Sequence, residues 1–213
     1  MSTGGSIKVI VFALLANLGI ALAKFVGAFF SGSASLLAEA IHSLVDCTNQ
    51  VLLLIGNKAS RRLPTERHPL GFGREAFFWS FIVAILLFSL GGLFAIYEGA
   101  HKLSSTQEVS SPALSLGILI FAIILEGFSF RACIHEVRAQ NPYGSLFQWF
   151  KKTTAAELLV IFTEDAAALL GLLIAALCIG LAWVTGDSAW DARGSILVGS
   201  LLVTVAIFLG FEI

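Results

Sequence analysis

His42 and Asp46 stand four residues apart in EAIHSLVDCTNQ, inside a run that is otherwise apolar. On a helix this spacing stacks the two side chains on one face, and Asn49 and Gln50 extend the same stripe by a turn, with Asn49 a candidate to support the ligands or relay protons beside them. A neutral imidazole nitrogen beside a carboxylate oxygen is a donor pair for Zn2+, and also for Mn2+, Fe2+ or Co2+. A lone buried histidine is usually a satisfied core residue. An aspartate at i+4 on a segment without basic residues favours a metal instead.

Two donors do not make a site, and the complement is the pair Glu164-Asp165 in VIFTEDAAALLGLL. At 1.5 Å per residue, Asp46 and Asp165 each lie roughly 15 Å inside the end of a helix, so they can meet at one depth. The alternative reading is a protonated, hydrogen-bonded pair that holds two helices together. Small residues follow the pair, Ala166, Ala167, Ala168 and Gly171, and permit close helix approach. Glu126, in LEGFSFRAC, fits either a structural hydrogen bond or a proton relay. Lys24 reads as an ion-pair partner for Glu39 across the first helical hairpin.

The elements that must position these groups follow from composition. Of the 213 residues 57% are hydrophobic and 13% charged, whereas a soluble domain has roughly a quarter charged. Six stretches are long and apolar enough to cross a bilayer as helices, at residues 7–31, 33–56, 74–101, 112–135, 155–184 and 191–213. Backbone groups in lipid must be satisfied internally, so the predicted class is an all-α integral membrane protein. Residues 7–31 read as a retained span, without the cleavage pattern of a signal peptide.

Basic residues concentrate on the cytoplasmic side of membrane proteins. Lys8, Lys58, Arg61, Arg62, Arg67, Arg74, Arg131, Arg138, Lys151 and Lys152 fall on one side by this count, against Lys102 and Arg193 on the other. Both termini are therefore expected in the cytoplasm. The arginine-rich loop is topogenic on this reading and not a nucleic-acid site. Trp149 and Phe150 beside two lysines form an interfacial anchor pattern. Cys47, Cys133 and Cys178 make no CxxC pair and are expected to be small packing residues. Gly71, Gly73, Gly91 and Gly92 are candidate flex points, with packing the favoured use of the last two.

Intramembrane metalloproteases need HExxH and aspartyl ones a GxGD-type context, and neither string occurs. An enzyme is excluded on this reading. A passive cation channel is the remaining rival, but a channel needs weak ligands, and a carboxylate-imidazole cage holds its ion too tightly for fast conduction.

SGSASLLAEAIHSLVD, with its HxxxD half-site at His42 and Asp46, resembles the second-helix signature of the cation diffusion facilitators. RHPLGFGREAFFW resembles the family's loop into the third helix. EGFSFRAC and EDAAALLGLLIA are most similar to the branch that includes the mitochondrial zinc transporter and its bacterial relatives. The resemblance covers nearly the whole chain. It implies a six-helix homodimeric transporter that exports a divalent cation, most often Zn2+, in exchange for protons by alternating access, with the metal as substrate and no cofactor. It further implies metal ligands at His42, Asp46 and Asp165, and a bacterial inner membrane as the location. The family's second half-site is also HxxxD, but Ile161 stands four residues before Asp165 and cannot ligate, which leaves Glu164 as its substitute. The cytoplasmic C-terminal domain that the resemblance leads one to expect is missing from these 213 residues, which fits either a truncated chain or a short form.

Overall fold

In a computed structural model, residues 3–66, 68–104, 111–140, 144–153 and 156–212 are described. Among them the chain is all-helical, and its one β-type contact is an isolated pairing of Thr65 with His68 in a turn. The helices are α1 (Thr3–Ser31), α2 (Ala34–Ser60), α3 (Arg74–Leu86), α4 (Phe94–Leu103), α5 (Pro112–Gln140), α6 (Leu146–Lys152), α7 (Ala156–Thr185) and α8 (Ala189–Glu212). A π-helical segment, Leu87–Leu93, joins α3 to α4 without a break.

Four helical stretches of the described chain are long and apolar enough to cross a membrane: Arg74–Leu103, Pro112–Ala139, Leu158–Thr185 and Ala189–Phe211. In α1 the apolar stretch found is the shorter Asn17–Ser31. The polar stripe of α2 lowers its mean hydropathy although it has 27 residues. Large apolar side chains such as Phe29, Phe30, Phe128, Leu177 and Trp183 face outward, as lipid contact requires. The protein is thus a multi-pass integral membrane protein.

Several helices outrun the hydrocarbon stretches that define them in sequence. α2 continues to Ser60 and not Gly56, and α5 to Gln140 and not His135, because a helix need not end where the lipid does. α6 was not expected as a helix. Ser145 caps it by accepting from the Gln148 backbone N–H at 3.1 Å, so the S-x-x-Q string was a helix start. The anchor reading of its aromatic residues needs correction. Trp149 is only 3% exposed and meets Phe162 edge-on at 5.9 Å, while Phe150 stacks on Phe208 at 5.2 Å. Both rings are spent on holding α6 against α7 and α8.

Lipid gives helices no hydrophobic reason to associate, so close packing and internal polar bonds must hold the bundle. Gly92 shows the first: a Cβ there would lie 2.5 Å from Val203 Cγ2, so this glycine serves the crossing with α8 and not flexing. The second is concentrated at one end. Gly32, at a positive φ of 65°, turns the chain between α1 and α2. The Asp191 carboxylate at the start of α8 caps the N-terminus of α2, accepting from Ala34 N and Ser33 Oγ at 2.7 Å each and from Ser35 N at 3.2 Å. Ser35 Oγ also donates to it, and Lys102 at the end of α4 donates from 2.9 Å and to the Gly32 carbonyl as well. Three elements are tied at this end. The loops had hidden it, since Lys102 and Asp191 read from sequence as flanking residues.

Candidate metal centre

At the opposite end of α2 the bundle is open. A cavity of about 310 Å3 is lined from α2 by Ser43, Asp46, Gln50 and Asn57, a single face descending from mid-helix to the C-terminal end. α7 contributes Ile161, Glu164 and Asp165, and α5 contributes Glu126 and Ser129. The two acidic groups of sequence, on α2 and α7, therefore share one cavity, and Glu126 joins them there.

His42 lies one turn beyond Asp46, toward the tied end, and is 1% exposed. Its Nε2 is 3.4 Å from Asp46 Oδ2, near but outside hydrogen-bond geometry. Both ring nitrogens and Asp46 Oδ1 have no hydrogen-bond partner among the described residues. Buried polar atoms are nearly always paired, and the lone pairs of one imidazole nitrogen and of the Asp46 oxygen beside it are ones that a metal cation, or a water molecule, can satisfy.

On α7 the neighbours diverge, as a step of 100° demands. Glu164 is 6% exposed and faces α2, where Asn49 Nδ2 donates to its Oε1 at 2.6 Å. Asp165 turns to α5, where Ser129 Oγ lies 3.5 Å from its Oδ2. Ile161 borders the cavity as an apolar wall. Among the described residues no three His, Cys, Asp or Glu side chains converge on one point within coordinating reach. The candidate donors surround the cavity and are not drawn together.

Lys24 takes its expected partner, Glu39 Oε2 at 3.3 Å, and also donates to Ser43 Oγ at 2.7 Å. Gly171 makes room for this pair, since a Cβ there would be 2.6 Å from Glu39 Oε1. The small residue after the acidic pair thus lets α7 pass Glu39. The three cysteines are free and buried, as packing residues are.

Helices, a lipid-facing surface and a carboxylate-lined cavity define a multi-pass membrane protein with an acidic cavity inside its bundle. The chain belongs to the cation efflux family, whose transmembrane-domain model matches residues 10–212. It is 35% identical over 204 residues to the human mitochondrial proton-coupled zinc antiporter SLC30A9, covering 95% of this chain and 36% of that protein. It is 34% identical over 199 residues to metal tolerance protein C4 of Arabidopsis thaliana, covering 92% and 44%. With the zinc transporter ZitB of Escherichia coli the figures are 30% over 188 residues, 88% and 55%. The chain spans about a third to a half of the length of these relatives. They are transporters and not enzymes.

Proposed function

We propose that this chain is the membrane part of a secondary transporter that exports a divalent cation, Zn2+ foremost, in exchange for protons. The observation that carries the reading is Asp46, with one buried oxygen lacking a hydrogen-bond partner among the described residues, lining a cavity together with Glu164 and Asp165, while the buried ring of His42 stands directly behind it. An ion entering along Gln50 reaches Asp46 first and His42 behind it. His42, Asp46, Asp165 and Glu164 are the proposed ligands, with Glu126 relaying protons at the cavity wall.

The six apolar stretches support six crossings and the basic-residue distribution supports both termini in the cytoplasm, and on that orientation the cavity faces inward while the Asp191 end is shut. Alternating access closes the first and parts the second. Ligands must be deprotonated to hold metal, so metal and protons compete for the same atoms and their fluxes couple in opposite directions. A homodimer is the proposed assembly, on the family resemblance. The zinc preference rests on His42 and on the relatives named for zinc.

Proteoliposomes with an imposed pH gradient test the reading. Zn2+ should accumulate against its own gradient, driven by protons, and His42→Ala and Asp46→Ala should each abolish this without unfolding the protein. Flux that runs only down the metal gradient and ignores pH would make the protein a channel.

A further inference from the structure

We infer that Asn49 is a specificity-determining positioning residue, which by holding one oxygen of Glu164 limits that carboxylate to a single oxygen for the metal. The inference rests on the metal centre proposed above and concerns which cation it prefers.

The bond is short, 2.6 Å, and joins two buried side chains on different helices. Its direction is fixed by chemistry, since an ionised carboxylate only accepts and the amide nitrogen only donates. Gln50, Asn57 and Ser129 also line the cavity, but the hydrogen bond seen at Glu164 among the described residues is the one from Asn49. The cavity places the carboxylates of Asp46, Asp165 and Glu126 around Glu164, and none of them donates when ionised. Lys24 is engaged with Glu39 and Ser43, and the Thr163 hydroxyl donates back to the Leu159 carbonyl at 2.7 Å. Asn49 Oδ1 has no hydrogen-bond partner among the described residues, so the side chain is kept in place by this one bond.

Denticity separates the candidate cations. One nitrogen from His42 and single oxygens from Asp46, Asp165 and Glu164 make four donors, the tetrahedral number of Zn2+. A carboxylate free to offer both oxygens adds a fifth and suits ions of higher coordination number, such as octahedral Mn2+. With one lone pair of Oε1 committed to Asn49 at 2.6 Å, Oε2 is the oxygen Glu164 offers freely, and a two-oxygen grip on a metal would have to weaken or lengthen that bond. Position 49 thus sets donor number without touching the metal.

Binding of ZnCl2 and of MnCl2 to the purified chain in detergent, by calorimetry, tests this. Asn49→Ala should lower the Kd of Mn2+ relative to that of Zn2+ by about tenfold, the scale of effects exerted through a metal ligand's hydrogen-bond partner. Asn49→Ser, which keeps a small polar group and leaves room for water, should shift the ratio the same way and stands in if the alanine variant does not fold. In a Glu164→Gln background neither change should move the ratio, because the oxygen they release is gone. An unchanged ratio in both single variants, or an equal shift with Glu164 replaced, overturns the inference while leaving the metal centre intact. Wild-type Zn2+ binding that survives both His42→Ala and Asp46→Ala overturns the metal centre itself.

Discussion

The Lys102 ammonium lies 2.9 Å from the Asp191 carboxylate, with both side chains shut away from solvent. The carboxylate is also the N-terminal cap of α2, so one charge serves a lysine and a helix end together. Removing one member of a buried pair leaves the other charge uncompensated, at a cost of about 3–5 kcal/mol. Asp191→Ala should therefore lower the thermal unfolding midpoint in detergent markedly. Arg193→Ala, two residues on, loses only an exposed contact with Trp190 at 5.0 Å to the ring centre and should cost under about 1 kcal/mol. Equal effects would mean the Asp191 network does not hold the bundle end.

Lys24 and Glu39 allow a cleaner separation of charge from packing. Lys24→Met removes the ammonium 3.3 Å from a fully buried carboxylate and should destabilise by about 3 kcal/mol or more. Adding Glu39→Gln removes the stranded charge and should recover most of that loss. Unfolding curves of the two variants decide the matter; a double variant no better than Lys24→Met would show that the alkyl stem, and not the pair, is what matters.

What the sequence made legible was periodicity and cost. Hydrophobic length marked the membrane class, and the expense of charge in lipid marked His42, Asp46, Glu164, Asp165, Glu126 and the Lys24–Glu39 pair, each of which is buried or lines the cavity. What it hid was direction. No spacing rule says that Glu164 turns to Asn49 on α2 while Asp165 turns to Ser129 on α5, since that depends on helix rotation set by packing. The π-helical segment at Leu87–Leu93 changes which residues face the bundle and leaves no pattern in the sequence. Asp191 was illegible for another reason: at a span's edge a carboxylate is cheap, and only the fold brings it to another helix's N-terminus.

The orientation has its own test at the end of α2. Ser60 is partly exposed and follows Lys58, where positive charge should hold the loop inside. The native cysteines are all buried, so a Ser60→Cys variant supplies the accessible thiol. A membrane-impermeant maleimide added to intact cells should leave it unlabelled until the membrane is opened. Labelling in intact cells would reverse the topology and make the cavity face outward.

The acidic pair on α7 should respond unequally. Asp165 is free of any strong bond, its contact with Ser129 being 3.5 Å, so its carboxylate can turn to a metal at little cost. Glu164 must do so with one oxygen held at 2.6 Å by Asn49. Asp165→Asn keeps the shape and removes the charge, and should weaken Zn2+ binding on the order of a hundredfold, against about tenfold for Glu164→Gln. Protons compete with metal at each ionised ligand, so affinity falls as pH falls, and losing a ligand carboxylate removes one proton-competed group and flattens that fall. Calorimetry from pH 6 to 8 should show a shallower slope for both variants, with the larger affinity loss at Asp165. Equal losses would make Glu164 a full ligand despite its amide partner. An unaffected Glu164→Gln would return Glu164 to holding helices α2 and α7 together, leaving His42, Asp46 and Asp165 to bind the ion.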